Sequence, residues 1–121
     1  MLFPLKKKKV AYLKGYFGEK VAALYLQLKG YSVLETRLKT PLGEIDLIVR
    51  KGSLIVAVEV KTRATQEKAA LSLSPFQMRR IQQALLLYVK RSPSPLNLRF
   101  DVILISPWNW PRHIQGAWVP H

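Results

Sequence analysis

Two alternating segments joined by a short turn constrain the fold of this chain more than any other feature. Residues 44–50 alternate apolar with polar side chains, residues 54–61 do the same with a run of valines, and Lys51-Gly52-Ser53 lies between them. Apolar residues at every second position predict strands, because successive side chains of a strand point to opposite faces. The pattern therefore predicts a β-hairpin. The predicted faces are Ile45, Leu47 and Val49 against Glu44, Asp46, Ile48 and Arg50, then Leu54, Val56, Val58 and Val60 against Ile55, Ala57, Glu59 and Lys61.

Further elements flank this hairpin on both sides. Helical spacing predicts a first helix, in which Gly15 and Gly18 would let another backbone approach closely. A cap residue followed by proline predicts the start of a second helix. The predicted elements are a helix over about Val10–Lys29, a strand over Tyr31–Leu38, the hairpin, an irregular connection over Ala64–Ser72, a helix from Ser74 to about Arg91 and a strand over Arg99–Ser106. The order predicts one α/β domain with a mixed β-sheet and helices on both faces.

Length and composition set the outer limits of this fold. A chain of 121 residues with 49% apolar residues can fill one core but not two. We predict a single domain over residues 10–121, preceded by a basic N-terminal tail over residues 1–9. The chain has no cysteine, which excludes disulfides and thiolate zinc sites. No apolar run approaches the roughly 18 residues of a membrane-spanning helix, and no secretory signal follows the first lysines, so we expect a cytoplasmic protein without membrane association.

Charge gives the first indication of a partner. Twenty Lys and Arg residues face seven Asp and Glu residues, for a net charge of +13. Such an excess causes self-repulsion that a polyanion relieves, so nucleic acid is the expected partner. An anionic membrane surface is the competing interpretation, and it is less favoured because no helix pairs a basic face with a broad apolar one.

The acidic residues matter more than the basic ones, because three of the seven lie in the hairpin. A carboxylate on a covered sheet face is costly unless it is paired or coordinated. Glu59 and Lys61 share a face about 7 Å apart, and closing the hairpin at its turn places Asp46 opposite them. Two carboxylates and an ammonium group would then cluster on one patch. The alternative is an ordinary cross-strand ion-pair cluster, in which each pair contributes about 0.2–1 kcal/mol.

Such a cluster has a use in phosphodiester hydrolysis. That reaction needs an activated water and stabilisation of the charge at the phosphate and the leaving oxygen. Carboxylates hold Mg²⁺, which keeps several waters and binds phosphate oxygens. A nearby lysine can orient the water, accept its proton or stabilise the oxyanion.

These residues also resemble a known signature. Gly43–Ile48 followed by Val58–Arg63 resembles the D-(x)n-E-x-K pattern of the restriction-endonuclease-like nuclease superfamily. The chain from about residue 10 to 118 is similar to the YraN-like family, small bacterial proteins described as predicted endonucleases. Gly18-Glu19, Gly30-Tyr31 and Arg99–Val102 contribute to that similarity.

The resemblance implies both a fold and residue roles. The fold is a restriction-endonuclease-like αβββαβ core, a mixed β-sheet flanked by helices. Asp46, Glu59 and the backbone carbonyl of Val60 would bind Mg²⁺ or Mn²⁺, Lys61 would position the water, and Glu19 would add a catalytic carboxylate to the metal site. The chain departs from the family at Gln77, where lysine is usual, and at Ala64–Ser72, which lacks a glycine-containing loop.

Several residues outside the hairpin are candidates for binding or for structure. The candidate nucleic-acid contacts are Arg63, Arg79, Arg80, Lys14 and Lys20, whereas Lys6–Lys9 are expected to be a solvated tail. Core packing is favoured over base stacking for Trp108, Trp110 and Trp118. Asp101 is assigned to structure, Glu44 to a salt bridge, and His113 and His121 receive no role.

The leading hypothesis is a Mg²⁺- or Mn²⁺-dependent endonuclease that hydrolyses phosphodiester bonds, with DNA the favoured substrate and branched or flapped DNA a specific option. A second hypothesis is a nucleic-acid-binding module whose nuclease-like site is silent. A third is an accessory interaction protein that uses its tryptophan-bearing tail. DNA versus RNA, branched versus linear substrate and a homodimer all stay open, because no base-reading element or interface is visible.

Overall fold

The computed structural model describes residues 3–90, 92 and 97–119, and for residues 3–14 only the helical backbone. Its elements in chain order are α1 (Phe3–Leu28), β1 (Ser32–Lys39), β2 (Glu44–Lys51), β3 (Leu54–Thr62), α2 (Gln66–Leu71), α3 (Pro75–Val89), β4 (Asn97–Ile105) and β5 (Arg112–Ile114). The predicted αβββαβ core is confirmed, with α2 and β5 as additions. Among the described residues, none of the helices combines the length and the hydropathy that crossing a membrane requires.

The five strands form one mixed sheet in the order β1-β2-β3-β4-β5. The pairs β1–β2, β2–β3 and β4–β5 are antiparallel, whereas β3 and β4 are parallel. A parallel pair needs a crossover connection, and here α2 and α3 supply it. The central strand β3 thus lies between an antiparallel and a parallel neighbour.

Each face of the sheet is covered by a helix. On one face, Ala22 and Leu26 of α1 pack on Val56 and Val58 of β3. On the other face, α3 packs on the alternate residues of the same strand, because successive side chains of β3 point in opposite directions. The α3 contribution to that second cluster is Ile81, Ala84 and Leu85. The sheet is therefore buried on both sides at its centre.

Three boundaries differ from the sequence-based expectation. Helix α1 begins at Phe3 rather than at about Val10, because lysine is a good helix former and Pro4 lies in the first turn, where proline is tolerated. Helix α2 lies in the segment expected to be irregular, where Thr65 caps it by accepting a hydrogen bond from the Lys68 N–H. Strand β5 has only three residues, too few for a recognisable alternation.

The alternation of β2 is interrupted at Asp46. Leu47 packs toward α1, whereas Ile45 packs with Ile48 against α3. The β2–β3 pairing ends at Leu47–Val58, so the irregularity lies immediately beyond that pair. The prediction that Ile45 shares a face with Leu47 is therefore wrong, because a strict period of two does not hold through an irregular position.

Candidate functional site

The site begins where β2 and β3 stop pairing. Beyond Leu47–Val58, the backbone N–H of Val60 donates to Asp46 Oδ2 at 2.8 Å instead of to a backbone carbonyl. A side chain thus replaces a ladder hydrogen bond, and this fixes the Asp46 carboxylate against the strand that carries Glu59 and Lys61. The predicted clustering of these three side chains is confirmed; their roles stay predictions.

Glu59 and Lys61 form a closed set of contacts with a residue of α3. Lys61 Nζ lies 3.2 Å from Glu59 Oε1. The Gln77 side chain joins both, since its Oε1 accepts from Lys61 Nζ at 3.2 Å and its Nε2 donates to Glu59 Oε1 at 3.1 Å. Gln77 lies in the first turn of α3, where Ser74 caps the helix by accepting from the Gln77 N–H. The start of this helix therefore positions the amide that orients the ion pair.

Burial perturbs both carboxylates of the pair. Desolvation, and then the negative charge of Asp46, raise the pKa of Glu59 to about 8, against the opposing effect of Lys61. Desolvation also raises the pKa of Asp46, although the Val60 N–H favours its ionised form. Two neighbouring carboxylates that are shielded from water resist simultaneous ionisation. A bound cation would stabilise the state in which both are ionised.

Glu19 approaches this pair from α1 but is held by another residue. The Arg37 side chain of β1 donates a hydrogen bond from Nε to Glu19 Oε2. Arg37 lies between the Thr36–Leu47 and Leu38–Ile45 pairs of β1 and β2 and has a φ of 51°, which is uncommon for a residue with a side chain. Burial raises the pKa of Glu19, and the Arg37 hydrogen bond opposes that rise. Glu19 and Asp46 line the same pocket, so the structure brings Glu19 to the site with Arg37 as a partner that sequence analysis missed.

Two glycines allow the neighbouring elements to come close. A Cβ at Gly18 would lie 2.1 Å from Thr62 Oγ1, so α1 can contact the end of β3 only without a side chain there. A Cβ at Gly43 would lie 2.6 Å from the backbone oxygen of Arg80 in α3. The close neighbour of Gly18 is thus the Thr62 side chain and not another backbone, and the expectation is wrong for Gly15, whose added Cβ would meet nothing within 4 Å among the described residues.

The residues present fit a cation bound by two carboxylates. Asp46, Glu59 and Val60 line a pocket of about 270 Å³ that also contains Glu19 and Lys61. Within the described part of the chain, no three acidic or histidine side chains are grouped closely enough to hold a metal by themselves. Mg²⁺ does not need such a group, because it is commonly held by one or two carboxylates with waters and substrate phosphates completing the shell.

The basic candidates occupy different surfaces. Arg63 follows β3 and lines the acidic pocket, with Nη1 donating to the Thr62 carbonyl at 2.7 Å. Arg79 and Arg80 are exposed on α3, outside that pocket, and Lys20 is exposed on α1, where Nζ lies 5.1 Å from the centre of the Tyr16 ring. The side chains of Lys14 and Lys6–Lys9, and His121, lie outside the described residues.

The tryptophans divide into two kinds. Trp118 stacks on Phe100 with ring centres 5.2 Å apart, as packing predicts. Trp108 and Trp110 are exposed, so the expectation that they close the core is wrong for these two. Prolines and turn residues surround them, and the loop between β4 and β5 carries both rings outward.

A second polar cluster is buried away from the acidic pocket. Asp101 on β4 accepts from Arg99 and from the Gly116 N–H at 2.9 Å, and its Oδ2 lies 2.7 Å from His113 Nε2. Arg99 Nη2 also donates to the Tyr31 hydroxyl at 2.7 Å. Asp101 is fully buried, and the assignment of Asp101 to structure agrees with this geometry. His113, which received no role from the sequence, is part of the cluster.

Comparison with known proteins places the chain in a family. The family model described as "Uncharacterised protein family UPF0102" matches residues 18–105, a range that includes Glu19, Asp46, Glu59 and Lys61. A UPF0102 protein of Parvibaculum lavamentivorans is 50% identical over 112 residues, covering 91% of this chain and 84% of the relative. A UPF0102 protein of Paramagnetospirillum magneticum is 43% identical over 121 residues, covering 95% of this chain and 94% of the relative. This chain therefore belongs to the UPF0102 (YraN-like) family.

Proposed function

We propose that this protein is a Mg²⁺- or Mn²⁺-dependent endonuclease of the restriction-endonuclease-like superfamily that hydrolyses phosphodiester bonds, with DNA the favoured substrate. One observation carries the proposal: Asp46, Glu59 and Lys61 converge at one pocket of a chain with a net charge of +13. The basic surface would attract the phosphate backbone, and the acidic pocket is the place within it where a divalent cation can bind.

The carboxylates have the properties of cation ligands. Asp46 is fixed by the Val60 N–H, and Glu59 is fixed by Lys61 and Gln77. Burial and mutual repulsion make the ionised pair unfavourable without a cation. Mg²⁺ or Mn²⁺ held by Asp46, Glu59 and the Val60 carbonyl would neutralise charge at the scissile phosphate. Glu19 would join these ligands if its carboxylate left the Arg37 side chain and bound the cation.

Lys61 can act on the attacking water. An ammonium group has three N–H donors, and the contacts with Glu59 and Gln77 use two of them. The third can orient a water or a phosphate oxygen. In the hydrolysis, the water oxygen bonds to phosphorus, the bond from phosphorus to the leaving oxygen breaks, the water loses one proton and the leaving oxygen gains one.

A silent nucleic-acid-binding module is the second candidate. The pairing of Glu19 with Arg37 favours it, because one carboxylate is already neutralised by a residue of the same chain. Binding that survives Asp46→Ala, together with no cleavage by the wild type, would support this function over the endonuclease.

A cleavage assay with matched variants tests the proposal. Single-stranded, duplex, flapped and four-way-junction DNA, and RNA, are incubated with the protein and Mg²⁺ or Mn²⁺. We expect cleavage of at least one substrate that disappears in EDTA and in both Glu59→Gln and Lys61→Met. Glu67→Gln, a change of the same kind on α2, should cleave like the wild type. Absence of cleavage by the wild type, or equal cleavage by Glu59→Gln, would contradict the proposal.

A further inference from the structure

An apolar groove adjoins the acidic pocket. Its volume is about 770 Å³, and α1, the end of β3 and the loop after β4 form its walls. The residues that define it are Phe17, Val21, Arg63, Ile105, Pro107 and Trp108. Among the described residues, no acidic residue lines it, and its only charged lining residue is Arg63. The groove therefore combines apolar walls with a positive charge.

Trp108 at the rim of this groove is held in an unusual conformation. Its φ is 65°, a left-handed value that few residues with side chains adopt, and its indole is fully exposed. Asn109 Nδ2 donates to Ser106 Oγ at 3.0 Å and to the Pro107 carbonyl at 3.1 Å, which closes the loop around it. Backbone strain of this kind costs free energy and is retained mainly at sites with a function. The fold thus presents a large aromatic face to solvent instead of burying it.

The groove is continuous with the acidic pocket. Thr62 and Arg63 line both. Strand β3 rises about 3.3 Å per residue, so Arg63 lies about 13 Å along the chain from Glu59. A strand whose phosphate reached the carboxylate pair would place its neighbouring nucleotides, within a few positions, at Arg63 and Trp108.

We propose that this groove binds unpaired nucleobases, with the Trp108 indole stacking on a base and Arg63 contacting the adjacent phosphate. Charge complementarity favours a nucleic acid over an apolar peptide, because the groove is positive and belongs to a strongly basic chain. Unpaired bases are favoured over duplex because paired bases in a helix hide their faces from an aromatic side chain. The inference rests on the proposed function only for the position of the cleaved phosphate beside the groove.

Binding without catalysis tests the groove. A fluorescein-labelled 12-residue oligodeoxythymidine and a labelled hairpin duplex are titrated with protein in EDTA, which prevents cleavage. We expect Trp108→Ala to weaken binding of the single strand by about tenfold, the loss of one stacked base, and to leave the duplex unchanged. Trp108→Phe should lose less, since it keeps an aromatic face. Because the indole is exposed, its removal should leave the thermal unfolding curve intact.

Trp110→Ala is the matched control, because Trp110 is exposed in the same loop but does not line the groove. Single-strand binding should be unchanged in this variant. Three results would each overturn the proposed role of the groove. Trp108→Ala could bind the single strand with wild-type affinity, it could lose equal affinity for single strand and duplex, or Trp110→Ala could lose as much affinity as Trp108→Ala. If single-strand binding depends on Trp108 but the protein cleaves nothing, the groove proposal is supported and the endonuclease proposal is contradicted. Failure of one proposal can therefore be distinguished from failure of the other.

Discussion

The Asp46 carboxylate accepts a hydrogen bond from the backbone N–H of Val60 at 2.8 Å, at the point where the pairing of β2 with β3 has ended. The orientation of one acidic residue is thus tied to the backbone of the strand that carries Glu59 and Lys61. Continuation of the Leu47–Val58 register pairs Asp46 with Glu59, and paired residues of antiparallel strands share a face, so the hairpin itself brings the two carboxylates together.

The carboxylate pair should make the protein more stable when a divalent cation is present. Mn²⁺ bound by Asp46 and Glu59 would relieve their repulsion only in the folded state, and a ligand at 100 times its Kd adds about 2.7 kcal/mol to the free energy of unfolding. We expect MnCl₂ to raise the Tm of the wild type and not that of Glu59→Gln. Thermal unfolding followed by circular dichroism measures this. Glu67→Gln should respond like the wild type, and an equal rise in Glu59→Gln would show that the cation binds elsewhere.

Gln77 should act as a positioning residue for Lys61. Its amide contacts both members of the ion pair, so Gln77→Ala removes the group that fixes the ammonium without removing the ammonium itself. We expect kcat to fall about tenfold, the effect of one oriented hydrogen bond, with KM unchanged. Gln83→Ala, on the exposed face of the same helix, controls for a general effect on α3. An unaltered kcat in Gln77→Ala would exclude the positioning role.

Asp101 should make folding sensitive to acid. Burial alone would raise the pKa of Asp101, but hydrogen bonds from His113, Arg99 and the Gly116 N–H outweigh it and lower the pKa below its ordinary value of 3.8. The folded state then binds fewer protons than the unfolded state, so this stabilisation is present above pH 3.8 and is lost as the pH falls through the lowered pKa.

Asp101→Asn tests that expectation by removing the charge while keeping the shape. Removing one partner of a buried ion pair costs about 3–5 kcal/mol. Because the asparagine amide keeps part of the hydrogen bonding, we expect the free energy of unfolding to fall by about 2–4 kcal/mol at pH 7. Urea unfolding between pH 3 and 7 should show a steeper fall in acid for the wild type than for the variant. Parallel curves for the two proteins would contradict the role of Asp101.

Gly43 should be required for the contact between the hairpin and α3. An alanine Cβ there would lie 2.6 Å from the Arg80 backbone oxygen, and relieving such overpacking costs about 1–3 kcal/mol. We expect Gly43→Ala to lower the free energy of unfolding by that amount. Gly15→Ala is the matched comparison: its Cβ would meet none of the described atoms within 4 Å and the position is helical, so the change should stabilise the fold by up to about 1 kcal/mol. If the two changes had equal effects on the free energy of unfolding, the close contact at Gly43 would not be what makes its substitution destabilising.

The sequence by itself determined the elements whose signals are local. The alternation on both sides of Lys51-Gly52-Ser53 predicts β2 and β3, and Ser74 with Pro75 predicts the start of α3, because strand period and helix capping depend on residues close in sequence. Three of the chain's seven acidic residues lie in this hairpin, and that concentration by itself indicates Asp46 and Glu59 as candidate site residues. Their convergence with Lys61 followed from closing the hairpin.

Only the tertiary structure decided the features that join distant residues. The Asp101 cluster unites Arg99 of β4, His113 of β5 and Tyr31 of the turn before β1. The Glu19–Arg37 pair joins α1 to β1, and the irregularity at Asp46 turns Ile45 to the other face. The exposure of Trp108 is of the same kind, since an indole in a proline-rich tail is equally compatible with packing and with solvent. Local sequence fixes backbone preference, but burial and pairing depend on which elements meet, and that depends on the whole fold.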